Sequence, residues 1–310
     1  MKHGYRQTGL GVVAACFFAT GLACVAGMPT DYELARWAFN EGSGTNTADL
    51  SGHGWTVTLL KDNGAGNVPT VTNTLWTNNT PTGTGNALAL NGTDQYATPE
   101  PFGGGNTLWT LSTLTNWSMS LWVKVQANGV QRTMLGHGFE PGVSGWNWEH
   151  IEYGGPNLFF TARMLKPTTY TDSVLGDGGF NIGAGWHHLV LTWRQDAATT
   201  NTIAKYYLDG IDDPLLTTKT SYPSEWTLNG PMPTGTFHGD VWHQLYIGAT
   251  GRNDTQTRGH FFLGLMDEVR IFGAALTTNE VKKLYLQPEI AGADLWLVEH
   301  PPRGTVIAVK

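Results

Sequence analysis

The segment Phe261 to Tyr285, FFLGLMDEVRIFGAALTTNEVKKLY, constrains the fold more than any other part of the chain. It reads as a closing β-strand that runs into a short helix. Along 265 to 272, alternation puts Leu265, Asp267, Val269 and Ile271 on one face and Met266, Glu268, Arg270 and Phe272 on the other. One carboxylate thus falls in an aliphatic row, where it is costly unless it accepts several backbone hydrogen bonds or binds a cation. Asp267 is therefore expected to be a structural brace or a metal ligand, and Glu268 is expected to pair with Arg270 on the outer face. Past the strand, Thr277 and Glu280 make a T-x-x-E capping box, while Val281, Leu284 and Tyr285 give the helix an apolar stripe. Such a helix folds back on its own sheet.

Composition points to the same all-β class. Of 310 residues, 40 are Gly, 15 are Pro and 13 are Trp, and only 14% are charged. That suits many short strands, tight turns and an aromatic core. Before the closing strand, further strands are legible at about Leu34 to Phe39, Ala87 to Leu90, Trp117 to Val125, Asn157 to Arg163, His187 to Arg194, Ile203 to Leu208 and Leu245 to Ile247. In Trp117 to Val125 the odd positions are apolar and the even ones are Ser118, Ser120, Trp122 and Lys124, which predicts one buried face. The polar stretches Asp62 to Thr84 and Thr217 to Asp240 read as surface loops. After Pro288, the tail Ala293 to Lys310 holds two strand-like runs broken by Pro301 and Pro302.

Four segments together resemble laminin G-like domains of the concanavalin A-like lectin/glucanase superfamily. They are ARWAFNEGSGTNTADLSGHG (Ala35 to Gly54), the pair GNALALNGTDQYATP (Gly85 to Pro99) and WSMSLWVKV (Trp117 to Val125), GWHHLVLTWRQDAATTNTIAKYYLDG (Gly185 to Gly210) with its Asp-Gly turn, and the F-x-G-x-x-D-E-V-R-I-F core of the closing strand. The resemblance spans about residues 34 to 286. It implies a two-sheet antiparallel jelly-roll sandwich over 31–288 with a short C-terminal helix, leaving 289–310 as a tail or the start of a further domain.

The first 27 residues form a separate unit. Lys2, His3 and Arg6 precede an uncharged stretch that is apolar from Leu10 to Leu22, the layout of a secretory signal peptide, with cleavage expected near Ala26 or Gly27. The apolar run is short for a membrane span, so no transmembrane segment is expected after cleavage. Both cysteines, Cys16 and Cys24, lie in this leader. Gly21-Leu22-Ala23-Cys24 resembles a lipoprotein box with its Leu one position too close to the cysteine, which favours plain cleavage over lipid anchoring. An exported chain without disulfides fits a secreted or cell-envelope protein of a bacterium. Loss of Lys2 and Arg6 takes the formal net charge from −7 to −9. With no basic patch to offset phosphate repulsion, nucleic acid is not an expected partner.

Two constellations are candidates for binding. Glu41, Asp49 and Asp267 combine a Gly-rich acidic loop with the closing strand, and since the family often carries calcium, the resemblance implies a structural Ca2+ held by these oxygens. The alternative is that Asp49 caps the loop and Asp267 bonds backbone amides. Trp146, Trp148, His150 and Glu152 alternate in SGWNWEHIEYGG and so share one face of a strand. Indole faces stack on sugar rings while His and Glu bond hydroxyls, which makes this the candidate glycan site. Its competitor is a purely packing role for the tryptophans. His238, Trp242, His243 and His137 show no zinc spacing, and His187 and His188, being adjacent, point to opposite faces.

Glycosidases with this architecture resemble one another in an E-x-D-x-x-E motif or a close variant. Here the nearest is Glu149 to Glu152, whose spacing puts the two carboxylates on opposite faces of a strand. The expected function is a non-catalytic binding module for a glycan or glycosylated surface. The alternatives are an adhesive surface protein with a protein partner and, behind it, a divergent glycoside hydrolase or lyase.

Overall fold

The computed structural model describes residues 28–64, 70–99, 115–126, 132–140, 148–153, 161–166, 169–175, 184–199, 201–212, 225–228, 245–252 and 257–301. The expected leader and the end of the tail lie outside them. Two largely antiparallel sheets and two short helices account for most of the described chain.

The first sheet runs Ile211–Asp212, Thr202–Leu208, His187–Gln195, Asn116–Val125, Leu263–Phe272, Ala87–Asn91 and Trp76–Thr77. The opening strand Glu33–Trp37 pairs with the second half of the closing strand Leu263–Phe272, and Ala87–Asn91 pairs with the first half. The second sheet runs Thr169–Leu175, Thr161–Lys166, Trp148–Tyr153, Arg132–Glu140, Leu245–Ile247, Gln95–Thr98, Val57–Lys61 and Asn46–Thr47. Between them lies a core that includes Trp37, Trp117, Leu121, Leu135, Leu191, Trp193, Ile247 and Ile271. Trp117 and Trp193 stand opposite each other on paired strands with ring centroids 5.3 Å apart. The alternating apolar residues of each strand thus form facing walls, as a jelly-roll sandwich requires.

The closing strand departs from strict alternation. Its register against Asn116–Val125 runs Asp267 to Trp122 and then Arg270 to Ser120, so one extra residue is inserted between them. Glu268 sits there with φ 46, the left-handed value of a bulge residue. Before the bulge Met266 faces the core, and after it Val269 and Ile271 do. Asp267 is therefore not in the row of Val269 and Ile271. It stands opposite Trp122, on the outer face and on the same side as Glu268.

That outer face is itself covered, so Asn116–Val125 has two buried faces over most of its length rather than one. Tyr32, Val190, Tyr207 and Phe272 pack there against Leu276, Val281, Leu284 and Leu295 in a second apolar cluster. Ser118 Oγ donates to the Ala274 carbonyl at 2.8 Å and accepts from Leu276 N at 3.0 Å, which anchors the start of the covering segment. The helix Thr278–Leu286 begins with the expected capping box of Thr277 and Glu280. Its Tyr285 stacks on Trp122 at 5.5 Å. Asp209 and Gly210, with φ 53 and 76, make the tight Asp-Gly turn between Thr202–Leu208 and Ile211–Asp212. A Cβ on Gly210 would lie 2.7 Å from Tyr285 Cβ, so the turn docks against the helix only because it has none.

The tail corrects an expectation. Gly292–Trp296 is a short helix, not a strand, with Leu295 buried and Trp296 edge-on to Tyr32 at 5.2 Å. Burial against the apolar cluster decides its conformation over local propensity. Among the described residues no helix is long and apolar enough to cross a membrane.

Candidate functional site

The covered outer face carries a charged network. Arg36 Nε and Nη2 donate to the two oxygens of Glu268, each at 3.1 Å, and Arg270 Nε donates to Glu33 Oε1 at 2.7 Å. Arg36 also reaches the Ile290 carbonyl at 3.4 Å and Arg270 the Pro288 carbonyl at 3.2 Å, tying the segment after the helix to the sheet. Glu268 therefore pairs across strands with Arg36 and not with Arg270, because the bulge breaks the spacing on which the expected pair depends. Burial works against the charge of Arg36, but the Glu268 carboxylate outweighs it and raises the guanidinium pKa.

Asp267 is only 5% exposed, and its Oδ1 accepts from the Glu268 N–H at 2.9 Å. Burial, reinforced by the neighbouring carboxylates of Glu268 and Glu289, pushes its pKa up to about 8 despite that hydrogen bond and Arg36. The brace between closing and opening strands is thus built by Glu268 and Arg270, while Asp267 beside them is a buried acid.

The loop carboxylates are occupied by the loop itself. Asp49 Oδ1 accepts from Arg36 N at 3.0 Å and Ser51 N at 2.9 Å, and its Oδ2 from Ser51 Oγ at 2.8 Å and Trp55 N at 3.1 Å. Glu41 Oε1 accepts from Thr47 Oγ1 at 2.6 Å and Ala48 N at 2.9 Å. Asp49 shapes the turn, as the alternative reading has it. Among the described residues no three His, Cys, Asp or Glu side chains gather as a metal-ligand group, so Glu41, Asp49 and Asp267 are not brought to one point.

Trp148, His150 and Glu152 fall on the strand Trp148–Tyr153, inside the second sheet, while Trp146 lies outside the described residues. The register is informative. Ile151 pairs with Leu135, which pairs in turn with Ile247, and both partners belong to the core. Ile151 is therefore in the core row, and Trp148, His150 and Glu152 alternate with it. A register shift between Ile151 and Glu152 belongs to the neighbouring strand, since pairing with Thr161–Lys166 runs through without interruption. Opposite Trp148 and His150 stand Gly138 and Gly136, which bring no side chain from that neighbour. Arg163, which sequence reasoning missed, stands opposite His150 on the other side. Only pairing across strands could have revealed it. His137 pairs with Glu149 and Leu245, whereas His238, Trp242 and His243 lie outside the described residues.

Two further features lie on the first sheet. Ser120 Oγ and His188 Nε2 are 2.9 Å apart, the atoms of a hydrolytic dyad, but both residues are about 1% exposed. Burial lowers the His188 pKa to about 3, so it is a neutral packing residue out of reach of any substrate. His187, on the opposite face as expected, bonds Asp209 at 2.8 Å. Beyond the helix, Ala89, Asn91, Lys124, Gln126, Leu263 and Leu265 line an open groove of 640 Å³ on the outer face.

Comparison with known proteins agrees with this architecture. The receptor-binding domain of botulinum neurotoxin C/D mosaic serotype superposes with a TM-score of 0.51 at 12% identity, over 83% of this chain and 52% of that one. The binding domain of botulinum neurotoxin DC, solved in complex with rat synaptotagmin II, superposes with a TM-score of 0.50 at 11% identity over the same shares. The carbohydrate-binding module CBM40 of the Ruminococcus gnavus IT-sialidase, bound to α2,3-sialyllactose, gives a TM-score of 0.43 at 12% identity, over 57% of this chain and 85% of that one. The chain spans about half the length of the neurotoxin domains it matches. No curated protein sequence matches it significantly. The sequence profile of the laminin G family described as the concanavalin A-like lectin/glucanases superfamily matches residues 91–282, well over half of the chain. With the two-sheet sandwich and its closing strand, that match places the protein in the concanavalin A-like lectin/glucanases superfamily, to which it belongs as a laminin G-like domain.

Proposed function

We propose that the protein is an exported, non-catalytic binding module whose ligand is a glycan or glycosylated surface. The observation that carries this reading is the register of Trp148–Tyr153, which puts Ile151 in the core row and Trp148, His150 and Glu152 in the other. Gly138 and Gly136 are the register partners of Trp148 and His150 on the neighbouring strand, and an indole is the side chain whose flat face stacks on a sugar ring. Glu149 and Glu152 alternate into opposite rows, which speaks against a pair of carboxylates converging on one glycosidic bond. The fold likeness to toxin receptor-binding domains supports binding at the level of architecture only.

A glycan array probed with the purified protein tests the reading. Binding to a defined set of glycans is expected, with at least tenfold weaker binding by Trp148→Ala at an unchanged melting temperature. If no glycan binds, or Trp148→Ala binds as the parent does, the reading fails. Capture of a non-glycosylated surface protein in its place would establish the adhesive alternative.

A further inference from the structure

We propose that the open groove on the outer face of the first sheet binds a single-chain amphiphile with an anionic head, of the fatty-acid class, with its charge held by Lys124 and its chain lying on Leu263, Leu265 and Ala89. The groove belongs to the other sheet from the glycan-binding row, so the two sites stand or fall separately. Register sets its floor. Leu265 pairs with Ala89 on one side and with Lys124 on the other, and Leu263 pairs with Asn91. These residues alternate with Met266, Leu88, Leu90, Val123 and Val125 of the core and so share the outer face. The helix covers that face as far as Trp122, on which Tyr285 stacks. Two residues farther along, Lys124 and both leucines are only half-buried. The groove volume of 640 Å³ falls within the range of small-ligand sites, roughly 300 to 1,000 Å³.

The hydrogen-bonding groups of the lining decide the class of ligand. The Ala89 N–H donates to the Leu75 carbonyl at 2.7 Å and the Gln126 N–H to the Leu263 carbonyl at 3.1 Å, while the Asn91 N–H donates to Gln95 Oε1 at 3.1 Å. The Asn91 side chain closes its own turn, accepting from Thr93 N at 2.9 Å and donating to Asp94 Oδ1 at 2.8 Å. The floor strands Asn116–Val125 and Leu263–Phe272 are interior to the sheet, so an extended peptide has no free edge to join. A sugar has too few partners for its hydroxyls. Lys124 is different: among the described residues its ammonium has no hydrogen-bond or carboxylate partner. The acid diagonal to it is Asp267, opposite Trp122, and burial keeps that carboxyl protonated up to about pH 8. One unopposed cation beside an aliphatic floor selects a ligand with one negative charge and a body that asks for no hydrogen bonds.

Calorimetric titration of the full chain with decanoate, dodecanoate and 1-decanol, each below its micelle or solubility limit, tests the site. One decanoate per chain is expected, bound at least tenfold tighter than decanol. Dodecanoate is expected to bind about tenfold tighter again, since each buried methylene contributes a factor of about three to four. Lys124→Gln lowers the affinity for decanoate to that for decanol while decanol binding and the melting temperature stay as in the parent, and Lys124→Arg keeps the preference for the acid. Absence of saturable binding by either acid, equal affinity for acid and alcohol, or undiminished decanoate binding by Lys124→Gln overturns the site. Binding to phosphatidylglycerol vesicles without binding of either free acid also overturns it, and would make this face a membrane contact instead.

Discussion

Arg36 and Arg270 stand directly opposite each other on the paired opening and closing strands, and each guanidinium bonds a carboxylate of the other's strand. Two like charges in that position repel unless both are neutralised. Glu268 does this for Arg36 and Glu33 for Arg270, so the four residues form one crossed unit. The outer ends of the two guanidinium groups reach the carbonyls of Ile290 and Pro288. The network thereby joins the first strand, the last strand and the segment after the helix.

Breaking one pair is expected to destabilise strongly. Glu268→Gln leaves the buried Arg36 charge uncompensated, at an expected cost of about 3 kcal/mol. Chemical denaturation with the two-state slope unchanged measures it. A loss below about 1 kcal/mol would show that the pair behaves like a solvated surface ion pair.

Asp267 links stability to pH. Its carboxyl has a folded-state pKa raised to about 8 from an unfolded value of 3.8, so between these values the folded protein holds a proton that the unfolded chain releases. Stability from this group is therefore fully present below about pH 4 and is lost as pH rises towards 8. Asp267→Asn mimics the protonated form and is expected to be more stable to unfolding than the parent at pH 8, by an amount on the order of a few kcal/mol, and to match it near pH 4. Parallel stability curves for the two proteins across pH 4 to 8 would show that Asp267 ionises freely.

Chelation tests the calcium brace expected from the sequence. Asp49 already accepts four protein hydrogen bonds and Glu41 Oε1 two, so three of the four oxygens are engaged by protein donors. EDTA is expected to leave the melting temperature within about 1 °C. A fall of several degrees that calcium reverses and magnesium does not would establish a resident ion.

The helix and its cap were legible in the sequence because capping is local: Thr277 and Glu280 are three residues apart and each bonds the other's backbone. The core rows were legible for the same reason, since alternation in Asn116–Val125 needs no knowledge of its partners. The bulge at Glu268 was not, because nothing in D-E-V-R marks a left-handed residue, and one inserted position moved Asp267 from one row to the other. The candidate glycan residues on Trp148–Tyr153 were named from alternation alone. Which of the two rows they occupy depended on the pairing of Ile151 with Leu135.

By itself, then, the sequence determined the class of fold, the order of its main strands and the capped helix that closes it. Each follows from periods of two and 3.6 residues and from short-range hydrogen bonds. Tertiary structure decided the partners. It crossed Arg36 with Glu268 and Arg270 with Glu33, buried Asp267 beside them, folded the tail into a helix under Tyr32, and put Arg163 opposite His150. These relationships join residues from 13 to 264 positions apart. Strand register and bulges set them, and neither is encoded in the local pattern of any one segment.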